Sequence, residues 1–124
     1  VGFIHWENIM KCYYAHPITS YGSDIEKQDI VLLESLGFDV LNPNQPEYDI
    51  AYKEQGMTVF LELVDSCDMV AFRAFPDGSI PAGIAKEVFQ AGIKPVIELP
   101  TNLQPRVLNV EQTRAQLKFL GRKI

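Results

Sequence analysis

Glu87 is the side chain whose type and position best suit chemistry. It lies in the segment from Phe75 to Ala91, which follows the apolar run Met69 to Phe72, turns through Pro76-Asp77-Gly78-Ser79 and then takes helical spacing. Ile84, Val88 and Ala91 recur at i, i+4 and i+7, an apolar stripe for a sheet to cover. Gly83 and Glu87 lie one turn apart on a neighbouring stripe, an acid beside a position with no side chain. In an open α/β sheet such a strand-to-helix turn sits at the carboxyl end of a strand, where ligands bind. A carboxylate there suits a sugar carbon, which it can attack or whose developing positive charge it can stabilise. The plain alternative is a solvated helix acid, and Lys86 beside it fits that picture.

Other candidates flank it. Asp77-Gly78-Ser79 reads as a turn with a helix cap or as a ligand loop. In the second reading Ser79 and the loop amides hold a phosphate or hydroxyl, and Asp77 binds a sugar hydroxyl or polarises a base. His16, at a strand end before Pro17, reads as a ligand contact; with no Cys or acid at ligand spacing it makes no metal site. Ser20 and Gly22 either let a loop approach a ligand or form an ordinary turn. Tyr21, Tyr48 and Tyr52 offer a stacking surface for a base, whereas Tyr14 reads as core. Arg73 pairs either with a phosphate or with Asp77. The sequence has no GxGxxG, Walker, GxSxG or CxxC motif, so dinucleotide enzymes, NTPases and serine hydrolases lose their best evidence.

The elements that must position these groups alternate between strand and helix. Lys11–Ala15 reads as a first strand, ended by His16-Pro17. Ser23 or Asp24 caps a helix running through Ile30, Leu33 and Leu36, and Gly37 is its stop. Phe38–Leu41 is a second strand, closed by Asn42-Pro43. Strand, helix, strand in this spacing is a crossover unit that requires a parallel sheet. Residues 44–55 read as a loop or irregular helix. Met57–Asp65 reads as a helix with Val59 or Phe60, Leu63 and Val64 inward. Asp68–Phe72 and Lys94–Leu99 are the third and fourth strands. Arg106–Val110 is a fifth strand or the lead into a final helix, Glu111–Leu120, capped by Asn109. The fold class is α/β: one doubly wound domain over 10–124, a parallel sheet of four or five strands, helices on both faces. The loops 15–23, 42–53 and 73–83 then converge where the first and third strands diverge. Met10-Lys11 reads as a natural start, with residues 1–9, His5 and Trp6 among them, as an extension that carries no site.

Composition bounds the function. The chain has 124 residues, 47% hydrophobic and 22% charged, which suits one ordinary globular core. A formal net charge of −5 with scattered Lys and Arg argues against a nucleic-acid polymer or an anionic membrane surface as partner. A small anion stays possible, because helix N-termini bind phosphate without a basic surface. No apolar run approaches a membrane span of ~18 residues. Cys12 and Cys67 read as free core thiols, which makes the cytoplasm the default location.

In family order, several pieces of the chain are similar to the nucleoside 2-deoxyribosyltransferase superfamily, including its short, often phage-encoded branch. The pieces are Lys11-Cys-Tyr-Tyr-Ala-His-Pro-Ile-Thr19, Asn42-Pro43, Ser66-Cys-Asp-Met-Val-Ala71, Asp77-Gly-Ser-Ile-Pro-Ala-Gly-Ile-Ala-Lys-Glu87 and Gly92-Ile-Lys-Pro-Val-Ile97. The resemblance covers roughly residues 11 to 99 and implies a flavodoxin-like sheet, a homo-oligomer and no metal or cofactor. It implies cleavage or transfer at the N-glycosidic bond of a nucleoside or nucleotide through a glutamate nucleophile. Glu87 resembles that nucleophile, Asp77 the acid ahead of it, and His16-Pro17 the first-strand loop. In the transferases proper the glutamate follows the Asp-Gly-Ser turn by about three residues, and Ala82 stands there in this chain. A helix that starts later, at Pro81, recovers most of the offset. The usual acid before the third strand is represented only by Glu62 or Asp65. An inactive nucleotide-binding or sensing module on the same frame is the rival expectation.

Overall fold

A computed structural model describes residues 9–100 and 109–119. Four strands, β1 (Lys11–Ala15), β2 (Asp39–Leu41), β3 (Met69–Phe72) and β4 (Val96–Glu98), form one sheet in the order β2-β1-β3-β4. Every pairing is parallel, with Cys12 opposite both Val40 and Met69, and Val70 opposite Val96. The helices are α1 (Asp24–Ser35), α2 (Pro46–Gln55), α3 (Thr58–Asp65), α4 (Ala82–Gln90) and α5 (Val110–Phe119), with a single 3₁₀ turn at Ile18–Ser20. This is a flavodoxin-like α/β fold.

Alternation along the strands sorts the core into two layers. Tyr13, Ala15, Val70 and Phe72 face α3 and α4, packing with Val64, Ile84 and Ala91. Cys12, Tyr14, Met69 and Ala71 face the other way and pack with Leu33 and Ile30 of α1. Both faces of β1 and β3 are therefore covered, which is why these strands read as unbroken apolar runs. Cys12 and Cys67 are free and buried in opposite layers.

Local sequence accounts for the helix ends. Ser23 Oγ accepts from Glu26 N–H at 3.3 Å, capping α1. At the other end Gly37 N–H donates to Glu34 O and Phe38 N–H to Leu33 O, with Gly37 at φ 92°. That left-handed residue closes the helix while Phe38 packs back near Leu33. Residues 46–55 form a regular helix rather than a loop. Pro46 opens it, Glu47 and Asp49 sit in its first turn, Lys53 in its last, and Asp49 pairs with Lys53 at 3.1 Å.

Two strands are shorter than their apolar runs. Phe38 is spent on closing α1, and β4 holds its three ladder residues against Val70–Phe72. Val110 begins α5 instead of ending a fifth strand, and Asn109 O accepts from both Thr113 N–H and Thr113 Oγ1. Residues 106–108 of that candidate strand, Leu120, and residues 1–8 lie outside the described residues. α4 begins at Ala82 with Pro81 just before it, so the late helix start is realised. No helix among the described residues is long and apolar enough to cross a membrane.

Candidate functional site

The chain leaves β1 on one side and returns past it to β3, so the strand order reverses between these two strands. A cavity of about 600 Å³ opens there, at the carboxyl end of the sheet. Its walls come from the β1–α1 loop (His16, Tyr21), the β2–α2 connection and α2 (Asn44, Asp49, Tyr52), α3 with its lead-in (Met57, Phe60), and the start of α4 (Pro81, Gly83, Glu87). This volume suits a ligand the size of a nucleoside.

Glu87 is set into the wall by the stripe that buries α4. Ile84 one turn before it and Ala91 one turn after it face the sheet, so the acid between them is carried inward and is 7% exposed. The Tyr13 hydroxyl donates to Glu87 Oε2 from the fully buried face of β1. Burial pushes the Glu87 carboxyl up to about 7, opposed by the Tyr13 hydrogen bond, which favours the ionised form. Lys86 forms no ion pair with it. The Tyr13 hydroxyl is itself driven well above the usual phenol range by burial and by the charge of Glu87. Tyr21 is pushed up to about 12 by burial and then by the fields of Glu87, Glu26 and Asp49. A methyl group at Gly83 would meet Met57 at 3.8 Å, an ordinary contact, so glycine there keeps cavity space open rather than avoiding a clash.

His16 borders the cavity, but both ring nitrogens are engaged. Nδ1–H donates to Tyr14 O at 3.0 Å, and Nε2 lies 2.7 Å from Glu26 Oε2. The ring is stacked on Tyr14 at 3.8 Å and tilted against Tyr21. Burial pushes the imidazole down against the opposing pull of Glu26. Glu26 also accepts from Gly22 N–H and from Asn44 Nδ2. Burial raises the Glu26 carboxyl, and these donors outweigh it and hold the group below its usual range. His16 thus organises the loop instead of presenting a free nitrogen.

Of the remaining candidates, all but Tyr52 lie off the cavity wall. Asp77 Oδ1 accepts from Ser79 N–H (2.9 Å) and Ser79 Oγ (2.5 Å), and the turn closes through Phe75 N–H to Ser79 O. Those bonds hold the exposed Asp77 carboxyl below its usual range. Asp77, Gly78 and Ser79 therefore form a self-satisfied turn, because the short acid bonds its own backbone two residues on. Arg73 pairs with Asp29 rather than with Asp77. Its Nε and Nη2 grip both oxygens of Asp29 on α1, and Nη1 donates to Pro100 O. Ser20 donates to Pro17 O, Gly22 serves Glu26, and Asn42 Oδ1 accepts from Asn44 N–H. Tyr52 borders the cavity and Tyr48 does not. Glu62 and Asp65 are exposed on α3, Asp65 accepting from Gln90.

Four participants went unrecognised in the sequence: Tyr13, Glu26, Asp29 and Asn44. A signal exists for the acids. Glu26, Asp29 and Leu33 recur at i, i+3 and i+7, which places two carboxylates on the buried stripe of α1. Tyr13 and Asn44 carry none beyond their positions at a strand and a strand exit. Among the described residues no group of three or more His, Cys, Asp or Glu is arranged to hold a metal ion. No protein-family model matches the chain, and no curated protein matches it.

Proposed function

We propose that the protein cleaves or transfers at the N-glycosidic bond of a nucleoside or nucleoside monophosphate, with Glu87 as nucleophile. The observation that carries the reading is a buried carboxylate, oriented by one phenol, in the wall of a cavity of nucleoside size at the switch point. Glu87 attacks the anomeric carbon as the C–N bond breaks. The bond's electron pair leaves with the base, which is protonated from solvent. Water or a second base then displaces the carboxylate by attack from the face the first base left, giving net retention. Tyr13 holds the attacking group, and Tyr21, Tyr52 and Phe60 supply aromatic walls for the base. The resemblance of the ordered motifs to nucleoside 2-deoxyribosyltransferases supports the same chemistry. The reading extends to a cytoplasmic homo-oligomer, for which the exposed Phe89 and Ile93 at the end of α4 offer apolar surface.

One observation favours a second reading, a nucleotide-binding module without turnover: Asp77, the acid expected ahead of the nucleophile, lies outside the cavity wall. Incubation with mixed deoxynucleosides and their monophosphates separates the two. Free or exchanged base that disappears in Glu87→Ala supports the enzyme, binding without turnover supports the module, and neither result rejects both.

A further inference from the structure

Asn44 borders the cavity with one end of its amide already committed. Its Nδ2 lies 3.3 and 3.1 Å from the two oxygens of Glu26. A carboxylate flanked by the Gly22 amide and the His16 ring can only accept from Asn44, so the flipped amide, oxygen against oxygen, is excluded. The main chain fixes the residue as well, since Asn44 N–H donates to Asn42 Oδ1 at 2.9 Å. Asn44 Oδ1 points away from Glu26 and takes no hydrogen bond from a described residue. No buried side-chain polar atom among the described residues lacks a partner, so Oδ1 is open to solvent, and Asn44 is one of the residues that line the cavity.

We infer that Glu26, through Asn44, fixes an obligatory hydrogen-bond acceptor in the cavity wall, so that the preferred nucleoside brings an O–H or N–H donor to Asn44 Oδ1. Glu26 is a positioning residue and Asn44 a specificity-determining one. This rests on the nucleoside reading above and deepens it. A site built to accept from a ligand donor rejects an analogue that lacks it more sharply than apolar contacts would, because the polar atom is then left unpaired. Two sources fit the chemistry: the sugar 3′-hydroxyl or an amino group of the base.

The test is calorimetric binding of deoxycytidine, deoxyuridine and dideoxycytidine to the full chain and to Asn44→Ala and Glu26→Gln. Relative to deoxycytidine, deoxyuridine lacks the base amino group and dideoxycytidine the sugar 3′-hydroxyl. Asn44→Ala weakens donor-bearing ligands by about five- to tenfold and leaves the analogue without the donor unchanged, which also tells the two sources apart. Glu26→Gln keeps the shape but lets the amide turn, so the preference between donor and acceptor at that position narrows or inverts. It decides the matter even if Asn44→Ala folds poorly. A parallel weakening of all three ligands, or no change in either variant, overturns the inference while the nucleoside reading stands. Failure of all three, and of the purine deoxynucleosides and the monophosphates, to bind the unaltered protein overturns both.

Discussion

The Tyr13 hydroxyl donates to Glu87 Oε2, joining two residues 74 positions apart in the chain. The contact ties the central strand of the sheet to the first helix after β3. It orients a carboxylate that burial alone would keep protonated in neutral solution. The phenol thus orients the candidate nucleophile, and its hydrogen bond opposes the effect of burial on protonation.

Tyr13→Phe removes the interaction that favours ionised Glu87, so the Glu87 pKa moves further up. The acid limb of the pH–rate profile for base release shifts to higher pH in this variant. Turnover at neutral pH falls by about ten- to a hundredfold, as for loss of a hydrogen bond to a charged group. Steady-state rates across the pH range check it.

Glu87 also makes stability pH-dependent. Its carboxyl lies at about 7 in the folded protein, against 4.5 for an unperturbed glutamate. The folded state therefore holds the proton more tightly, and the resulting stability is complete below the lower value and lost as pH rises through the upper one. In Glu87→Gln this loss is absent. The variant gains on the wild type by an amount of order 3 kcal/mol between pH 4.5 and 8. Denaturant melts at several pH values measure the difference.

Asp29 is expected to matter for stability rather than chemistry. It accepts from Arg73 Nε, Arg73 Nη2 and the Tyr14 hydroxyl, all within the layer under α1. Asp29→Ala strands a buried guanidinium and costs about 3–5 kcal/mol, whereas Asp29→Leu combined with Arg73→Met recovers much of it. Urea midpoints of the two variants decide this.

The fold was legible because its signals are local. β1 and β3 are apolar on both faces, Ser23 and Gly37 mark the ends of α1, and Ile84, Val88 and Ala91 give the buried stripe of α4. Residues 44–55 were harder, since α2 is polar almost all round and is held by its ends and by packing on α3. The site was legible only in part. Glu87 sits on a stripe the sequence marks, but its partner Tyr13 arrives through tertiary packing. Arg73 and Asp77 show the limit: each reads as ligand-facing, and each is satisfied by a partner that spacing does not reveal.

Asp77 tests that limit. Because its carboxylate serves the turn at Ser79 and does not line the cavity, Asp77→Ala leaves base release within about twofold of the wild type. A loss comparable to that of Glu87→Ala in the same assay would return Asp77 to the reacting centre.

The proposed mechanism requires Glu87 to bond to the sugar. Mass spectrometry of protein quenched during turnover of a deoxynucleoside reads this directly. A deoxyribosyl group on the peptide that carries Glu87, lost in Glu87→Gln together with base release, is the predicted result. Base release that continues undiminished in Glu87→Gln, with no adduct on that peptide in the wild type, contradicts it.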